Sequence, residues 1–232
     1  MQVPVARSRR ATAGASYRTR NVLLDLTLFR TRFDDVTLFA PRLTPGDVPV
    51  TTSLFVGTQQ ARGAELFFQQ RAARQSGWVS YTLSDVRQRF TGLEADAFAA
   101  TQDERHRIKV VESVNVFRNW TMAGTWVFGS GRSYTPATGI EPVTLPVGLT
   151  VDGLLFGTTN SARLPAYHRL DASVQNTFHV FGIRGTVGAT LFNVYDRKNV
   201  WYRSYQTFGG LATSSDVTYL TRAINAFVKI GF

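Results

Sequence analysis

Short segments in which polar and apolar residues alternate recur along this chain and constrain its fold more than any other feature. Between residues 167 and 180 the alternate positions are polar, and the residues between them are mostly apolar. The polar positions are Arg169, Asp171, Ser173, Gln175 and Thr177. A period of two places successive side chains on opposite faces of a β-strand. Because helical periodicity is absent, the chain is predicted to be all-β.

The segments predict about nine antiparallel strands whose connectors alternate between short and long. The predicted strands are 9–18, 21–33, 62–73, 77–88, 105–117, 120–132, 167–180, 183–204 and 217–232. The long connectors are 34–61, 89–104, 133–166 and 205–216. A soluble sheet with one polar face has no reason to place every long loop at one end, whereas outer-membrane barrels do so. The pattern therefore predicts an antiparallel transmembrane β-barrel.

Composition excludes several other classes of protein. The chain has no cysteine, which excludes disulfide scaffolds and cysteine-based metal sites. No run of 18 apolar residues exists, so a transmembrane helix is not expected. The net charge is +10, but the arginines are dispersed and no nucleic-acid-binding motif accompanies them. We expect no nucleic-acid partner, and a basic barrel lumen or a rim facing lipopolysaccharide accounts for the charge.

The two ends of the sequence suggest a segment of a larger barrel. Residues 1–20 contain no apolar core of a signal peptide. Nine strands is an odd number, whereas single-chain bacterial barrels have even numbers. The last strand alternates up to Ile230 and Phe232, and a terminal aromatic on such a strand is expected to serve as the signal for outer-membrane assembly.

Several segments, in order, resemble the TonB-dependent receptor family. They are GAEL at 63–66 with GWVSYTLS at 77–84, DERHR at 103–107, GSGRSYT at 129–135, NSARLPAYHRLD at 160–171 and LFNVYDRKNV at 191–200. Two details depart from the family: Ser133 stands where proline is usual, and Phe227 stands where glycine is frequent.

The resemblance implies the properties of that family. Residues 1–232 would be the C-terminal portion of a 22-stranded barrel, with the signal peptide and the plug domain absent from them. The parent protein would import a scarce nutrient, such as a ferric siderophore, a vitamin or an oligosaccharide, with energy from TonB. Its partners would be outer-membrane lipid and lipopolysaccharide, the barrel assembly machinery, TonB through the plug, and an unidentified small ligand. No cofactor is expected.

The candidate site is the polar face that carries Arg169 through Thr177, which is predicted to face the lumen. It would be either a wall for the plug and the passing substrate or the ordinary solvated lining of a wide barrel. Trp120, Trp126 and Tyr81, with Phe232, are assigned to membrane-interface girdles. The long connectors 34–61 and 133–166 would carry ligand selectivity.

Metal binding and catalysis are not expected. The three histidines, His106, His168 and His179, lack metal-ligand spacing, and the first two are interpreted as packing residues at the loop bases. An outer-membrane protease would need paired carboxylates and a histidine at one rim, for which only Asp34, Asp35 and His106 are available. The acidic pair reads instead as the polar start of a loop. Two alternatives remain open: a porin or adhesin without a plug, and a soluble basic β-protein that binds polyanions.

Overall fold

The computed structural model describes residues 4–44, 47–145 and 147–231, and all of its regular elements are strands. Nine strands form the main sheet. They are β1 (Arg7–Arg18), β2 (Val22–Thr44), β3 (Asp47–Arg71), β4 (Gln75–Arg89), β6 (His106–Phe117), β7 (Trp120–Gly129), β12 (Tyr167–Val180), β13 (Ile183–Phe192) and β16 (Ala223–Gly231). No helix among the described residues is long and apolar enough to cross a membrane.

Seven shorter strands lie in the long connectors. The two-residue β5 (Phe98–Ala99) pairs with β4. The others form three separate antiparallel pairs: β8 (Ser133–Tyr134) with β11 (Ala162–Arg163), β9 (Ala137–Thr144) with β10 (Thr150–Phe156), and β14 (Val200–Phe208) with β15 (Leu211–Thr218).

The main sheet follows the order β1-β2-β3-β4-β6-β7-β12-β13-β16, and every neighbouring pair is antiparallel. In the described part of the chain β1 and β16 are the two edges of an unclosed sheet. The predicted all-β antiparallel fold is confirmed, and each of the nine predicted strands corresponds to one strand of this sheet.

The short turns are also confirmed. They join β1 to β2, β3 to β4, β6 to β7, and β12 to β13. The last is a two-residue turn in which Phe181 has φ +51° and Gly182 has φ +79°. Two positive φ values make the tight hairpin turn whose twist matches that of the flanking strands. All four turns therefore lie at one end of the sheet, and the long connectors lie at the other.

The prediction of a loop over 34–61 is wrong. After a bulge at Asp34 and Asp35, where Asp35 has φ +62°, β2 and β3 pair again from Val36↔Gly57 to Thr44↔Asp47. At 23 residues β2 is about 75 Å long, whereas a membrane crossing needs about ten residues. The segment is rich in threonine, valine, leucine and phenylalanine, which favour strands and here sustain an extended hairpin beyond the main sheet.

Three other predicted boundaries, of strands and connectors, also differ from the observed ones. The predicted strand 183–204 ends at Phe192 because the next residue, Asn193, adopts φ +52°. The predicted connector 133–166 contains the pairs β8–β11 and β9–β10. The β14–β15 hairpin covers residues 200–218, so it includes the end of the predicted strand 183–204 as well as the connector 205–216, and the last strand begins at Ala223.

Register places the side chains of the main sheet on two contrasting faces. The large apolar side chains of one face are exposed, which is the reverse of a soluble sheet with a covered core. We call it the apolar face, and it includes Leu24, Leu26, Leu28, Leu66, Phe68, Val79, Leu83, Met122, Val187, Ile224, Val228 and Ile230. The polar face is the opposite one, and it carries Ser80, Thr82, Lys109, Thr125 and Thr190 among others.

Only a small apolar cluster is buried among the described residues, and it lies at the base of the long connectors. Phe55, Phe90 and Phe98 pack together there, with Val36 and Leu38 of the extended hairpin against them. The cluster fixes the extended hairpin to the connector that follows β4.

Candidate functional site: the polar face

The five predicted site residues share the polar face of the sheet. Arg169 pairs with Val127, Asp171 with Thr125, and Ser173 with Ala123 of β7. Gln175 and Thr177 continue the same face toward the short turns, where Thr177 pairs with Thr186. Across the neighbouring strands this face is lined mainly by hydroxyl, amide and charged groups, so it can be solvated along its length.

Arg169 and Asp171 form an ion pair, and Asp171 also binds the backbone of the turn that follows β13. The guanidinium of Arg169 lies 2.9 Å from the carboxylate of Asp171, donates to the hydroxyl of Tyr167 at 3.0 Å, and lies 4.0 Å from the ring centre of Phe192. The other carboxylate oxygen of Asp171 accepts a 2.9 Å hydrogen bond from the backbone of Asn193. These two predicted site residues therefore also organise the end of β13.

A cavity of about 400 Å³ opens on the polar face near the long connectors. Four of its lining residues are cationic: Arg107, Lys109, Arg132 and Arg169. Among the described residues that line it, the one acidic side chain is Glu104, which lies 3.8 Å from Arg107. The cavity therefore has a net positive charge and suits an anionic molecule or carboxylate-bearing complex.

Two cations of the cavity are held in place by neighbouring groups. Lys109 lies with its ammonium 5.2 Å from the ring centre of Trp78. Arg132 donates to the hydroxyl of Tyr219 at 3.0 Å and to the carbonyl oxygen of Trp201 at 3.1 Å. The connector after β13 therefore contributes to the wall of the cavity.

Burial raises the pKa of Glu104 above its usual range, against the opposing influence of Arg107 and Arg132. The carboxylate lies over Gly129, where an added Cβ would stand 2.0 Å from its oxygen. Protonation of Glu104 would raise the positive charge of the cavity by one unit.

Comparison with known proteins identifies the family. The family model described as "TonB dependent receptor-like, beta-barrel" matches residues 6–194 of this chain. The chain belongs to this family. It is a family of receptors and transporters, and the resemblance predicted from the motifs is confirmed.

Solved TonB-dependent receptors have the same fold. The ferric yersiniabactin uptake receptor FyuA of Yersinia pestis is 18% identical with a TM-score of 0.64, covering 98% of this chain and 30% of the receptor. The ferric citrate transporter FecA is 16% identical with a TM-score of 0.62, and the match covers 96% of this chain and 30% of FecA. The FrpB iron transporter of Neisseria meningitidis is 12% identical with a TM-score of 0.59, covering 97% and 31%. This chain thus spans about a third of each receptor's length. No curated protein sequence matches.

Three of the family-like segments meet in one ion pair with a buried carboxylate, which the sequence patterns did not predict. Asp103 is 1% exposed and its carboxylate binds the guanidinium of Arg163. The same guanidinium donates to the carbonyl oxygen of Gly131 at 3.1 Å, and Asp103 accepts from the backbone of Val86 at 2.7 Å. These residues belong to the segments at 103–107, 129–135 and 160–171, so recurrence of family motifs was the available signal.

In the segment at 191–200, two buried side-chain amides form hydrogen bonds with the backbone. Asn193 is fully buried and bonds the backbone of Arg197 through both its amide nitrogen and its oxygen, at 3.0 and 3.3 Å. Asn199 is 3% exposed and pairs with the backbone of His168 as a neighbouring strand would, at 2.9 and 3.0 Å. In this TonB-dependent receptor barrel the segment closes the end of β13 and supports β12.

Two of the three histidines and the acidic pair lie in structural contacts. His106 bonds the hydroxyl of Tyr81 at 2.9 Å, and His168 packs edge-on against Tyr195. Asp34 and Asp35 are engaged by arginines on the first two strands. Within the described residues no group of three or more acidic or histidine side chains is placed to hold a metal ion.

Of the two residues predicted to form the assembly signal, the structure describes one. Ile230 is exposed on the apolar face, whereas Phe232 lies outside the described residues. Phe227, which stands where glycine is frequent in the family, covers Gly188 of β13, where an added Cβ would lie 2.7 Å from the phenyl ring. The ring therefore fills the space that the glycine leaves open.

Proposed function

We propose that residues 1–232 form the C-terminal part of the barrel wall of an outer-membrane TonB-dependent receptor. The polar face, with Arg169, Asp171, Ser173, Gln175 and Thr177, would line the lumen, and the apolar face would contact lipid. The contrast between the two faces and the short turns at one end support this arrangement. The plug and the contact with TonB would belong to another part of the receptor.

The cation-lined cavity favours an anionic cargo. Four cationic side chains and one acidic side chain surround it, and the related FyuA and FecA are named for ferric complexes. A ferric complex with carboxylate ligands fits such a lining better than a neutral oligosaccharide or a vitamin without negative charge. We therefore propose import of a ferric siderophore or similar chelate, driven through TonB by the inner-membrane proton gradient. No covalent chemistry is required of the chain.

The partners follow from this location. Lipid and lipopolysaccharide would surround the apolar face, and the barrel assembly machinery would act on the last strand at Ile230 and Phe232. A porin or adhesin would share the wall but would not need energy from TonB. A soluble basic β-protein would need its exposed apolar face covered, and the described residues contain no second layer over that face.

Uptake measured in the source bacterium tests the proposal. Cells take up ⁵⁵Fe-labelled ferric complexes before and after a protonophore collapses the proton gradient. The double variant Arg107→Gln with Lys109→Gln removes two of the four cationic side chains that line the cavity. It is therefore expected to lower uptake of an anionic complex about tenfold. Arg184→Gln, on the polar face at the short-turn end, is the matched control and is expected to change uptake less than twofold.

Two results would contradict the proposal. Uptake that persists after the protonophore is added favours a porin over a TonB-dependent receptor. Energy-dependent uptake that is unchanged in the double variant would contradict the role of the cavity and leave the transport class intact.

A further inference from the structure

One carboxylate lies on the apolar face of the main sheet. From the row of Leu28, Ala64 and Leu83 down to the short turns, Glu112 of β6 is the one Asp, Glu, Lys or Arg side chain among the described residues of this face. It is exposed, and none of the ion pairs formed by the described residues includes it. A charged group in the apolar layer of a membrane is costly unless a partner compensates it.

Glu112 lies near the middle of this apolar layer. It pairs with Gly124 of β7, a strand whose ten residues match the length that crosses a membrane. Trp120 lies four residues from Gly124 toward the short turns, and Phe128 lies four residues away toward the long connectors, so each is about 13 Å along the strand. These two rings share the apolar face and mark its margins. Lipid headgroups therefore do not reach the carboxylate, and only a group embedded in the membrane can contact it.

The carboxylate lies in a groove that is one row of side chains wide. On the neighbouring strands the row at its level contains only small residues: Gly77 on β4, Gly124 on β7 and Ala172 on β12. We call the row of these three residues and Glu112 the groove. The two flanking rows are about 14 Å apart, and the four strands span about 14 Å. The flanking rows contain Val79, Val110, Trp126 and Leu170 on one side, and Gln75, Val114, Met122 and Val174 on the other.

The Glu112 side chain leaves most of the groove open. Its carboxylate is turned over Gly77, where an added Cβ would collide with it. At Gly124 an added Cβ would lie 3.9 Å from the nearest atom of another strand, a backbone oxygen, so no described side chain fills that space. An α-helix is about 10 Å wide and packs closely over glycine and alanine in a membrane. The open floor beside the carboxylate therefore has the width and the small residues that a packed helix requires.

The charge of Glu112 indicates which occupant fits the groove. A lysine or arginine on the occupant would compensate the carboxylate in a layer without water, where an ion pair is screened least. A second copy of this chain does not supply such a group, because its described apolar face has no cation at this depth. The complementary partner is therefore a different membrane protein.

We propose that the groove binds a membrane-spanning helix of another protein, with a lysine or arginine of that helix paired with Glu112. The helix would lie over Gly124 and Ala172, between the rows that contain Trp126 and Met122. The proposal needs the apolar face to lie in lipid, as proposed above, and it is independent of the cavity and of TonB.

Binding of synthetic helices to the full chain in phosphatidylcholine bilayers tests the groove. The probes are two leucine helices of about 20 residues that differ only at the central position, which is lysine in one and leucine in the other. The chain has no cysteine, so Ala73→Cys in a short turn accepts a single dye, and energy transfer to a dye on the helix gives the dissociation constant. We expect the lysine helix to bind at least about tenfold tighter. Equal binding of the two helices overturns the proposal.

Two variants separate the charge of the groove from its shape. Glu112→Gln removes the charge and should abolish the preference for the lysine helix. Gly124→Leu fills the floor and should weaken the binding of both helices about fivefold or more. The matched controls are Glu65→Gln on the polar face and Ala15→Leu on the apolar face of β1, and each is expected to change binding less than about twofold. A preference that persists in Glu112→Gln, or binding that is unchanged in Gly124→Leu, overturns the proposal.

The same measurements distinguish this proposal from the transport function. Equal binding of both helices by a chain that has entered the bilayer contradicts the groove and leaves the transport function intact. A chain that does not enter the bilayer contradicts both. Self-association that Glu112→Gln and Gly124→Leu each abolish would make a second copy the occupant and overturn the proposal. If a variant fails to fold, the comparison of the two helices on the unchanged chain still decides.

Discussion

Replacing Asp103 by alanine tests whether the ion pair between connectors holds the long-connector end of the barrel together. The substitution removes the acceptor of the Val86 N–H and the partner of Arg163 at once. Both lost contacts lie at the long-connector end of the main sheet, where β4 meets the connector before β6. We therefore expect local opening at this end and not loss of the whole sheet.

The magnitude follows from the burial of the two partners. A buried N–H left without an acceptor costs about 1–3 kcal/mol. Arg163 is 37% exposed, so water screens its charge and the ion pair adds only about 1 kcal/mol. The free energy of local opening at Val86 should fall by about 2–4 kcal/mol in total. Asp103→Asn keeps an oxygen for the N–H and should cost about half as much.

Hydrogen exchange followed by mass spectrometry measures this change in detergent-solubilised protein. A fall of about 2–4 kcal/mol corresponds to roughly 30- to 1000-fold faster exchange of the Val86 amide, since each 1.4 kcal/mol is tenfold. Asp96→Ala, an exposed carboxylate in the same connector, is the matched control. If Asp103→Ala exchanges no faster than this control, the ion pair does not hold the long-connector end together and the reasoning is refuted.

Three further predictions concern turns and the cavity. Gly131 has φ +88° and an added Cβ would stand 2.0 Å from the carbonyl oxygen of Leu164, so Gly131→Ala should destabilise the protein by about 2–4 kcal/mol, seen as a lower thermal midpoint in detergent. Asn193→Ala removes a fully buried amide and should make residues 194–199 cleavable by limited proteolysis, with a loss of about 2–3 kcal/mol; unchanged cleavage would count against it. Anion binding at the cavity should strengthen as the pH falls through the raised pKa of Glu104, because protonation removes a negative charge, and titration of Glu104→Gln should lack this step.

The strand pattern and the two faces could be predicted from sequence because they depend on local physics. Side chains alternate with a period of two in any strand, so Arg169 and Asp171 had to share a face once the segment was extended. The tight turn at Phe181 and Gly182 is also local, since it depends on the backbone freedom of two residues. Family-like segments added the barrel type, which alternation alone does not specify.

Composition misled the prediction where strand and loop share residue types. The segment 34–61 contains proline and glycine, which indicate a loop, and also threonine, valine and phenylalanine, which favour strands. Pairing between β2 and β3 resolved the conflict, because each strand satisfies the backbone hydrogen bonds of the other. Such pairing depends on residues far apart in sequence and cannot be judged from either strand separately.

By itself, the sequence determined that the chain alternates, turns tightly at one end and belongs with outer-membrane barrels. The tertiary structure decided which charged residues meet. Asp103 and Arg163 are sixty positions apart and come together only when two connectors fold over the same end of the sheet. The cavity likewise takes Arg107 and Lys109 from β6 and Arg169 from β12, and a shift of one residue in either register would turn that strand's contribution to the other face. Both arrangements depend on how distant parts of the chain pair, which is a property of the assembled sheet.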